Sequence, residues 1–441
     1  MIEKDECCRE FLHRCSGIEV FAVVEEKGLL FCHRCYNNNQ QRFAKCEDGF
    51  YCRDCLMFGR VSTTTKLVRT QKRRLVSENA HQMNLQYELS SLQKEASASA
   101  IHAFNQRQNH YIWAVCGAGK TEMMYGVIAK ALQEGHRICW TIPRRDVVIE
   151  LKPRLQSIFT HAKVIAMYGG SDENQSYGDI VLATTHQLVH FYEAFELIII
   201  DEVDAFPYTH DVMLPRLLQK AKRKTGVIHY LSATPSPEDK LKMKSGEIAS
   251  CVVPVRYHQK RLDVPNFVSC YQYESKILQH LIPRKIKAYL IKQQRNKRRT
   301  LLFVPTIQIG QILSSILHIP FVHSQDEQRA HKIAHYKQSN DLFLLTTMIL
   351  ERGITIVNID IAIIGAEHDV FEESALVQIS GRVGRHPDYY QGDITFFHDG
   401  LSKSMIQAQA HIKAMNQEGE KRGLLSAHCS RSIKNMVMYS R

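Results

Sequence analysis

The stretch AVCGAGKTEMMYGVIAK, residues Ala114–Lys130, decides the fold, because a turn of small residues ending in Gly-Lys-Thr precedes a helical pattern. The apolar run YIWAV before the turn predicts a strand, and TEMMYGVIAKAL after it predicts a helix. Gly117 and Gly119 let the backbone turn tightly and approach phosphate oxygens at a helix N-terminus, where the dipole favours an anion. We therefore expect a phosphate-binding loop in which Lys120 reaches the terminal phosphates and Thr121 ligates magnesium.

The loop departs from the usual pattern in one respect. Where most such loops begin with glycine, this chain has Ala114 and Val115, a variation typical of helicase-type loops. The residues expected to contact ATP here are Cys116, Gly117, Ala118, Gly119, Lys120, Thr121 and Glu122.

A second motif supplies the acids that nucleotide hydrolysis requires. The run LIIIDEVD is an apolar strand that ends in Asp201 and Glu202, and a strand end projects both carboxylates at the mouth of a sheet. Asp201 can hold Mg²⁺ directly or through water, and Glu202 can orient and deprotonate the attacking water. One acidic pair closing a strand is common, but the pair together with the Gly-Lys-Thr loop predicts an ATP hydrolase.

The rest of the chain predicts an α/β fold. Short apolar runs alternate with helical stretches, which is typical of buried parallel strands joined by crossover helices, and the rhythm occurs twice. We expect two tandem doubly wound parallel-sheet domains preceded by a small zinc-binding module. The expected divisions are an N-terminal segment at 1–27, a four-cysteine module at 28–62, a linker at 63–90, an ATP-binding domain at 91–262 and a second domain at 263–441 with a helical basic tail.

Composition indicates the class of partner. Lys and Arg outnumber Asp and Glu by 57 to 45, a net charge of +12 that favours a polyanion, with nucleic acid first and anionic lipid second. Basic runs that could contact it are KAKRK (Lys220–Lys224), RNKRR (Arg295–Arg299) and QKRR (Gln71–Arg74), although such a run is more often simply a solvated face and none of the three is singled out. No apolar run is long enough for a secretory signal or a transmembrane segment, so we expect a cytoplasmic protein and leave a peripheral membrane association open.

Cysteine is concentrated at the N-terminus, where eight of the 13 cysteines lie in the first 55 residues. Cys32, Cys35, Cys52 and Cys55 follow the pattern C-x2-C-x16-C-x2-C, which predicts a structural Zn²⁺ site rather than free or redox cysteines. Cys46 could replace one ligand, and His33 is interpreted as a bystander. A second, incomplete site formed by Cys7, Cys8 and Cys15 with His13 is the less favoured alternative.

Further motifs identify the kind of motor. The hydroxyls of LSAT, at Ser232 and Thr234, are expected to bond the Asp201–Glu202 pair. QISGRVGR is expected to present Arg382 and Arg385 from one helical face, where two planar guanidiniums suit a γ-phosphate in the transition state.

With these four motifs in order, residues 91–390 resemble a superfamily 2 helicase, whose domains are RecA-like. The resemblance implies that Gln93 reads adenine, although an exposed polar helix residue is the alternative, and that Gly353 lies near the nucleotide. It also implies that ATP binds between the two sheets, contacted by Lys120 and Arg385, and that hydrolysis moves a gripped strand by one step. The residues implied in gripping the strand or coupling it to ATP are Pro143, Arg144, Thr184, Thr185, Ser232, Thr234, Thr346 and Thr347.

Four cysteines in two knuckles directly before such a core make the resemblance specific to one family. CHRC and YCRDCLMFGRV followed by AVCGAGKTEMMYGVI resemble the late competence proteins of Gram-positive bacteria, the ComFA family. That resemblance implies an ATP-dependent translocase on single-stranded DNA, at the cytoplasmic face of the membrane, that helps import transforming DNA. Implied partners are the phosphoribosyltransferase-like ComFC protein, a DNA-uptake channel and single-strand-handling proteins, and self-association is left open.

Two other functions are consistent with parts of the sequence. A primosomal replication-restart helicase also binds zinc, but its cysteines are more numerous and lie inside the helicase core. A non-catalytic nucleic-acid scaffold would not require Lys120, Asp201 and Glu202 together. The sequence leaves open the polarity of translocation, duplex unwinding and whether the zinc module binds DNA or a protein.

Overall fold

The computed structural model of the protein describes residues 10–11, 17–47, 49–69, 76–173, 176–204, 211–351 and 356–425. The chain divides into two compact units near Val253 and Pro254. The first unit contains the N-terminal module and one large sheet, and the second contains the other large sheet. Among the described residues, none of the helices has both the length and the apolar character needed to cross a bilayer.

The N-terminal module is built from short antiparallel strands. Its strands are β1 (Glu10–Phe11), β2 (Ile18–Phe21), β3 (Val23–Glu26), β4 (Leu29–Cys32), β5 (Phe43–Cys46), β6 (Gly49–Cys52) and β7 (Lys66–Arg69). β1 and β2 flank β7 in one sheet, while β3–β4 and β5–β6 form two hairpins. Each hairpin therefore ends at the first cysteine of a Cys-x-x-Cys pair.

The first large sheet has seven strands, all parallel, in the order β10-β11-β9-β12-β13-β8-β14. The strands are β8 (His110–Ala114), β9 (Ile138–Ile142), β10 (Val164–Met167), β11 (Ile180–Thr184), β12 (Phe195–Asp201), β13 (Lys222–Ser232) and β14 (Ala249–Val253). The helices are α1 (Ser91–Asn105), α2 (Lys120–Gln133), α3 (Arg145–Ile158), α4 (Met213–Ala221) and α5 (Pro237–Ser245).

The second large sheet has six parallel strands in the order β15-β20-β19-β16-β18-β17. The strands are β15 (Asn266–Ser269), β16 (Arg299–Phe303), β17 (Phe321–Val322), β18 (Phe343–Thr346), β19 (Ile359–Ile364) and β20 (Ile394–His398). The helices are α6 (Tyr273–Leu278), α7 (Arg284–Arg295), α8 (Ile307–Leu317), α9 (Arg329–Gln338), α10 (Glu373–Ser380) and α11 (Lys403–Lys421).

Burial explains why these strands are apolar along their whole length. Every residue of β9 and of β19 is buried, as expected for parallel strands covered by helices on both faces. The prediction of two doubly wound parallel-sheet domains behind a small cysteine module is confirmed. The carboxyl ends of the strands in each sheet lie at one edge, which is where ligands bind in such folds.

Candidate functional site

The phosphate-binding loop connects the end of β8 to the start of α2. Gly117 and Gly119 both have left-handed φ angles, +81° and +83°, which glycine adopts without steric cost. A Cβ at Gly119 would lie 2.2 Å from the side-chain nitrogen of Gln93. Glycine is therefore required at position 119 for its conformation and for its close neighbour, and the helix begins at Lys120 as the sequence predicts.

Gln93 is built into this loop. Its side-chain oxygen accepts the backbone N–H of Ser90 (2.9 Å) in a capping box at the start of α1, while its Nε2 donates to the carbonyl of Ala118 (3.2 Å). Gln93 is 7% exposed, so the alternative of an exposed polar helix residue is wrong. The structure places it against the nucleotide loop; its role in reading adenine stays a prediction.

Lys120 and Asp201 interact across the mouth of the sheet. The Nζ of Lys120 donates to the carbonyl of Ala114 at 3.2 Å. Burial raises the pKa of Asp201 to about 7, the adjacent Glu202 adds to the rise, and the positive charge of Lys120 opposes it. Asp201 is half-buried, and a carboxyl beside a second carboxylate is stabilised in its charged form by a cation. With the hydroxyl of Thr121, Asp201 offers the hard oxygen ligands that Mg²⁺ prefers.

Glu202 lies immediately beyond the end of β12 in a strained conformation. Its φ of +55° is left-handed, which is uncommon for a residue other than glycine, asparagine or aspartate. Its backbone N–H donates to Oδ1 of Asp201 at 2.9 Å. Such strain often occurs at functional sites, where the surrounding structure fixes the residue.

The hydroxyls of the LSAT motif bond a different acid from the one expected. Ser232 Oγ donates to Oδ1 of Asp204 (2.8 Å) and Thr234 Oγ1 donates to Oδ2 (2.7 Å). The expectation that they bond Asp201 and Glu202 is corrected, because the fourth residue of DEVD turns back toward the end of β13. DEVD and LSAT are thus joined through both oxygens of one carboxylate.

The residues predicted to grip a strand in the first unit lie side by side. β9 and β11 are neighbouring parallel strands, and Ile142 pairs in register with Thr184. Pro143 and Arg144 follow β9, while Thr184 ends β11 and Thr185 directly follows it, so the two segments share one edge of the sheet. Thr185 is buried and accepts a hydrogen bond from the hydroxyl of Thr141 at 2.9 Å.

In the second unit, Thr346 ends β18 and is buried, and its hydroxyl donates to the carbonyl of Thr347 at 3.0 Å. Gly353 lies outside the described residues. The arginines are not on a helical face, since α10 ends at Ser380. Arg382 lies in the turn after the helix, and Arg385 directly follows that turn. The two glycines of GRVG, at 381 and 384, explain this correction, because glycine is a poor helix former and Gly384 has a φ of +71°.

The two arginines differ in their surroundings. Arg382 is buried, and its Nε donates to the carbonyl of Glu351 at 3.1 Å. Arg385 is half-buried, and its Nε donates to the carbonyl of Gly381 at 3.0 Å. Arg385 is therefore the more accessible of the two guanidiniums.

The four cysteines of the knuckles come together in the N-terminal module. The sulfur atoms of Cys32, Cys35, Cys52 and Cys55 all lie within 4.8 Å of one another, and every one of these side chains is buried. Cys32 and Cys55 are 3.7 Å apart, and Cys35 and Cys52 are 3.6 Å apart. Four thiolates around one Zn²⁺, with Zn–S bonds of about 2.3 Å, would be about 3.8 Å apart, so the cluster fits zinc.

Neighbouring groups complete the cluster. Hydrogen bonds among the thiols raise the pKa of Cys35 and Cys55 and lower that of Cys52. The side-chain nitrogen of Asn37 lies 3.7 Å from the sulfur of Cys52. Cys46 lies outside the cluster, and the ring of His33 packs edge-on against Phe31. Cys7, Cys8, Cys15 and His13 fall outside the described residues.

Sequence reasoning missed several residues of these sites. The position of Asp204 in DEVD marks it as a site residue, but its hydrogen-bond partners are set by a turn whose geometry the motif does not specify. No motif marks the contacts of Asn37, Arg216 or Lys220, because these contacts join positions between 15 and 186 residues apart.

Comparison with known proteins is consistent with this architecture. Family models match in succession: the competence protein ComFA N-terminal domain at 6–69, the type III restriction enzyme res subunit at 86–237 and the helicase conserved C-terminal domain at 278–387. The competence protein ComFA of Bacillus subtilis (strain 168) is 39% identical over 88% of this chain and 85% of its own. Its counterpart from Streptococcus pneumoniae is 35% identical over 90% and 93%.

Solved structures resemble the fold. S. cerevisiae Dbp5 bound to RNA and ADP BeF3 superposes with a TM-score of 0.54 at 14% identity, covering 77% of this chain and 94% of Dbp5. Mycobacterium smegmatis helicase Lhr bound to ssDNA and AMP-PNP gives 0.53 at 18% identity, covering 75% of this chain and 50% of Lhr. Both large sheets thus have the RecA-like fold.

Proposed function

The chain belongs to the ComFA family of competence proteins and carries two helicase domains, and we propose that it is an ATP-driven motor that moves along single-stranded DNA during DNA uptake. The observation that carries this proposal is the Gly-Lys-Thr loop, with left-handed Gly117 and Gly119, at the start of α2 in the sheet whose strand β12 ends in Asp201. A lysine at a helix N-terminus and a half-buried carboxyl at the end of a strand form a site for a magnesium nucleotide.

The motif residues of the first unit have separate proposed roles in hydrolysis. Lys120 contacts the terminal phosphates, and the backbone N–H groups of residues 116–122 surround the phosphate chain. Thr121 and Asp201 hold Mg²⁺, which neutralises charge on the phosphates when it is bound. Glu202 accepts a proton from the attacking water, and it directly follows Asp201, whose Oδ1 accepts its backbone N–H.

The remaining residues couple hydrolysis to movement. Arg382 and Arg385 contribute positive charge to the γ-phosphate in the transition state, with Arg385 the more accessible group. Ser232 and Thr234 connect the DEVD turn to β13 through Asp204. Pro143–Arg144 and Thr184–Thr185 contact DNA phosphates in the first unit, and Thr346–Thr347 do so in the second, so binding depends little on base sequence.

The family supports a place for this activity in the cell. We propose that the motor acts in the cytoplasm at the inner face of the membrane, where it draws transforming DNA through a channel protein. A ComFC-type phosphoribosyltransferase-like protein and single-strand-handling proteins are the proposed partners. Zn²⁺ in the four-cysteine cluster has a structural role, because the small hairpins around it have little core of their own.

One assay separates this function from its alternatives. ATP turnover is measured with single-stranded DNA, with duplex DNA and without DNA, beside a strand-displacement readout. We expect single-stranded DNA to stimulate turnover more than duplex does. Efficient displacement of a duplex strand would favour a replication-restart helicase, and no turnover under any condition would leave a non-catalytic scaffold. Lys120→Ala is the matched inactive control.

A further inference from the structure

Helix α4 carries two cations, Arg216 and Lys220, on the same face, because residues four apart are neighbours on a helix. The helix follows the DEVD segment in the first unit, and both side chains contact the four-cysteine module. Lys220 belongs to the basic run KAKRK, and Arg216 belongs to none of the motifs.

Lys220 joins the first knuckle to the predicted strand-gripping segment. Its side chain is only 1% exposed, and its Nζ donates to the carbonyl of Arg34 at 2.6 Å and to the carbonyl of Val189 at 2.8 Å. Arg34 lies between the ligands Cys32 and Cys35. Val189 belongs to the 3-10 helix Thr185–His190, which directly follows β11. One buried ammonium thus holds backbone from two functional segments with charge-assisted hydrogen bonds.

Arg216 contacts Asn37, which follows the first knuckle, and Asp54 of the second knuckle. Its Nη1 donates to Oδ1 of Asn37 at 2.9 Å and lies 3.4 Å from Oδ2 of Asp54. Asp54 lies between the ligands Cys52 and Cys55. Asn37 is fully buried, and its other side-chain atom, Nδ2, contacts the sulfur of Cys52. Arg216 therefore supports a group that touches a metal ligand, and such outer contacts tune metal sites.

Apolar and aromatic contacts reinforce the same junction. Leu214 and Leu217 of α4 belong to one buried cluster with Val23 and Leu30 of the module. The ring of Phe58, which follows the second knuckle, packs against His186 at a centroid distance of 6.2 Å. His186 is within Thr185–His190 and hydrogen-bonds Asp211, two residues before α4.

We propose that Arg216 and Lys220 are positioning residues through which metal in the four-cysteine cluster fixes helix α4 and the segment Thr185–His190, so that metal occupancy sets how tightly the motor holds DNA. Only the effect of metal on DNA binding rests on the proposed function. The effect of metal on α4 and on Thr185–His190 concerns the fold of one unit and can be tested without nucleotide or DNA.

Hydrogen exchange on the full chain tests whether metal in the cluster fixes α4 and Thr185–His190. Backbone exchange is compared for zinc-loaded protein and for protein stripped with a chelator. We expect zinc removal to speed exchange at 185–190 and 213–221 as well as in the module. Faster exchange confined to residues 17–69 would overturn the proposal.

Zinc-loaded variants separate positioning from simple loss of the module. Arg216→Ala and Lys220→Met are compared with Gln219→Ala, a change at an exposed position of the same helix. With zinc still bound, we expect faster exchange at 185–190 in the first two variants. We also expect zinc release to a chelator to be roughly 10- to 100-fold easier in Arg216→Ala. If Arg216→Ala behaves like Gln219→Ala in both measurements, the proposal fails even if Lys220→Met does not fold.

DNA-stimulated ATP turnover tests whether the junction between the cluster and α4 sets how tightly the motor holds DNA. We expect the DNA concentration for half-maximal stimulation to rise several-fold in Arg216→Ala, while the KM for ATP stays within about twofold. Equal half-saturation in Arg216→Ala and Gln219→Ala would refute the link to DNA. A wild-type protein without any turnover would refute the proposed function instead. The exchange result would still decide whether metal fixes α4 and Thr185–His190.

Discussion

At the scale of single residues, we expect nucleotide binding to depend on Lys120 more than on any other charged group of the loop. It reaches Asp201 electrostatically and bonds the carbonyl of Ala114, so its position is set before any phosphate arrives. We expect Lys120→Ala to reduce ATP turnover by at least about 100-fold, because charge stabilisation at the phosphates contributes several kcal/mol. Turnover is measured by phosphate release.

A control on the same helix makes that result specific. Lys130 also lies on α2, where it pairs with Glu134 at 3.1 Å, so Lys130→Ala removes a cation from the helix far from the loop. We expect Lys130→Ala to retain turnover and both variants to retain DNA binding. Full activity in Lys120→Ala would refute its assignment.

Glu202 should affect the chemical step and not binding. An amide in place of its carboxylate keeps the size of the side chain but cannot accept a proton from water. We therefore expect Glu202→Gln to bind ATP with nearly unchanged affinity while turnover falls by roughly 100-fold or more. Affinity is measured with a fluorescent nucleotide and turnover by phosphate release. Rapid turnover in this variant would exclude Glu202 as the base.

At the scale of elements, β8 and β13 bring two histidines together inside the first sheet. His110 pairs in register with His229, their ring centroids are 5.5 Å apart, and both are fully buried. His110 bonds the hydroxyl of Ser99, whereas neither ring nitrogen of His229 has a hydrogen-bond partner in the part of the chain that the structure describes. Burial lowers the pKa of His110 to about 4 and also lowers the pKa of His229.

This pair predicts acid sensitivity. Unfolded histidine titrates near 6.5, so the unfolded chain takes up protons first, and the stability present above pH about 6.5 is lost as the pH falls toward 4. For His110 alone the loss amounts to about 3 kcal/mol. We expect the thermal unfolding midpoint to be lower at pH about 5.5 than at pH about 7.5. The difference between the two pH values should be smaller in His229→Leu.

Asp201 acts in the opposite direction, because its raised pKa favours the folded state on acidification. Asp201 and His110 are present in both proteins, so the difference between wild type and His229→Leu isolates the contribution of His229. An identical pH dependence in the two proteins would contradict this assignment.

The elements also show where sequence patterns are sufficient. β9 and β12 are predicted by their apolar runs, since a strand covered on both faces tolerates little else. The end of α10 is not, because the helical spacing of Arg382 and Arg385 ignores the two glycines between and before them. The cysteine spacing predicts the metal ligands, yet the contacts of Asn37 and Arg216 depend on how the module packs against α4.

At the scale of the whole molecule, net charge indicates a polyanionic partner better than runs of basic residues do. Within KAKRK, Lys220 is buried and Lys222 bonds two backbone carbonyls. Within RNKRR, Arg298 pairs with Asp360 at 2.6 Å and Arg299 stacks on the ring of Tyr336. These cations are used in folding, so neither run is simply a solvated face or a DNA-binding face. QKRR lies outside the described residues.

The order of motifs predicts the two helicase domains, because each motif is tied to a strand end of a parallel sheet. It does not identify the cations that bind DNA, since a charge on one strand end and a charge in an ion pair look the same in sequence. We propose Arg144 as a cation that contacts DNA, and it lies half-buried at the carboxyl edge, where β9 pairs with β11.

DNA binding should therefore depend steeply on salt and only partly on any one residue. Contacts with single-stranded phosphates release counterions, so we expect affinity to fall about 10-fold or more between 50 and 200 mM salt. Arg144→Ala should weaken binding to all sequences alike and make the salt slope shallower by roughly one contact, whereas Lys337→Ala, at an exposed position of α9, should leave the slope unchanged. Fluorescence anisotropy of labelled oligonucleotides across a salt series measures both. An affinity that does not respond to salt would rule out phosphate contacts as the basis of binding, and with them the role given to Arg144.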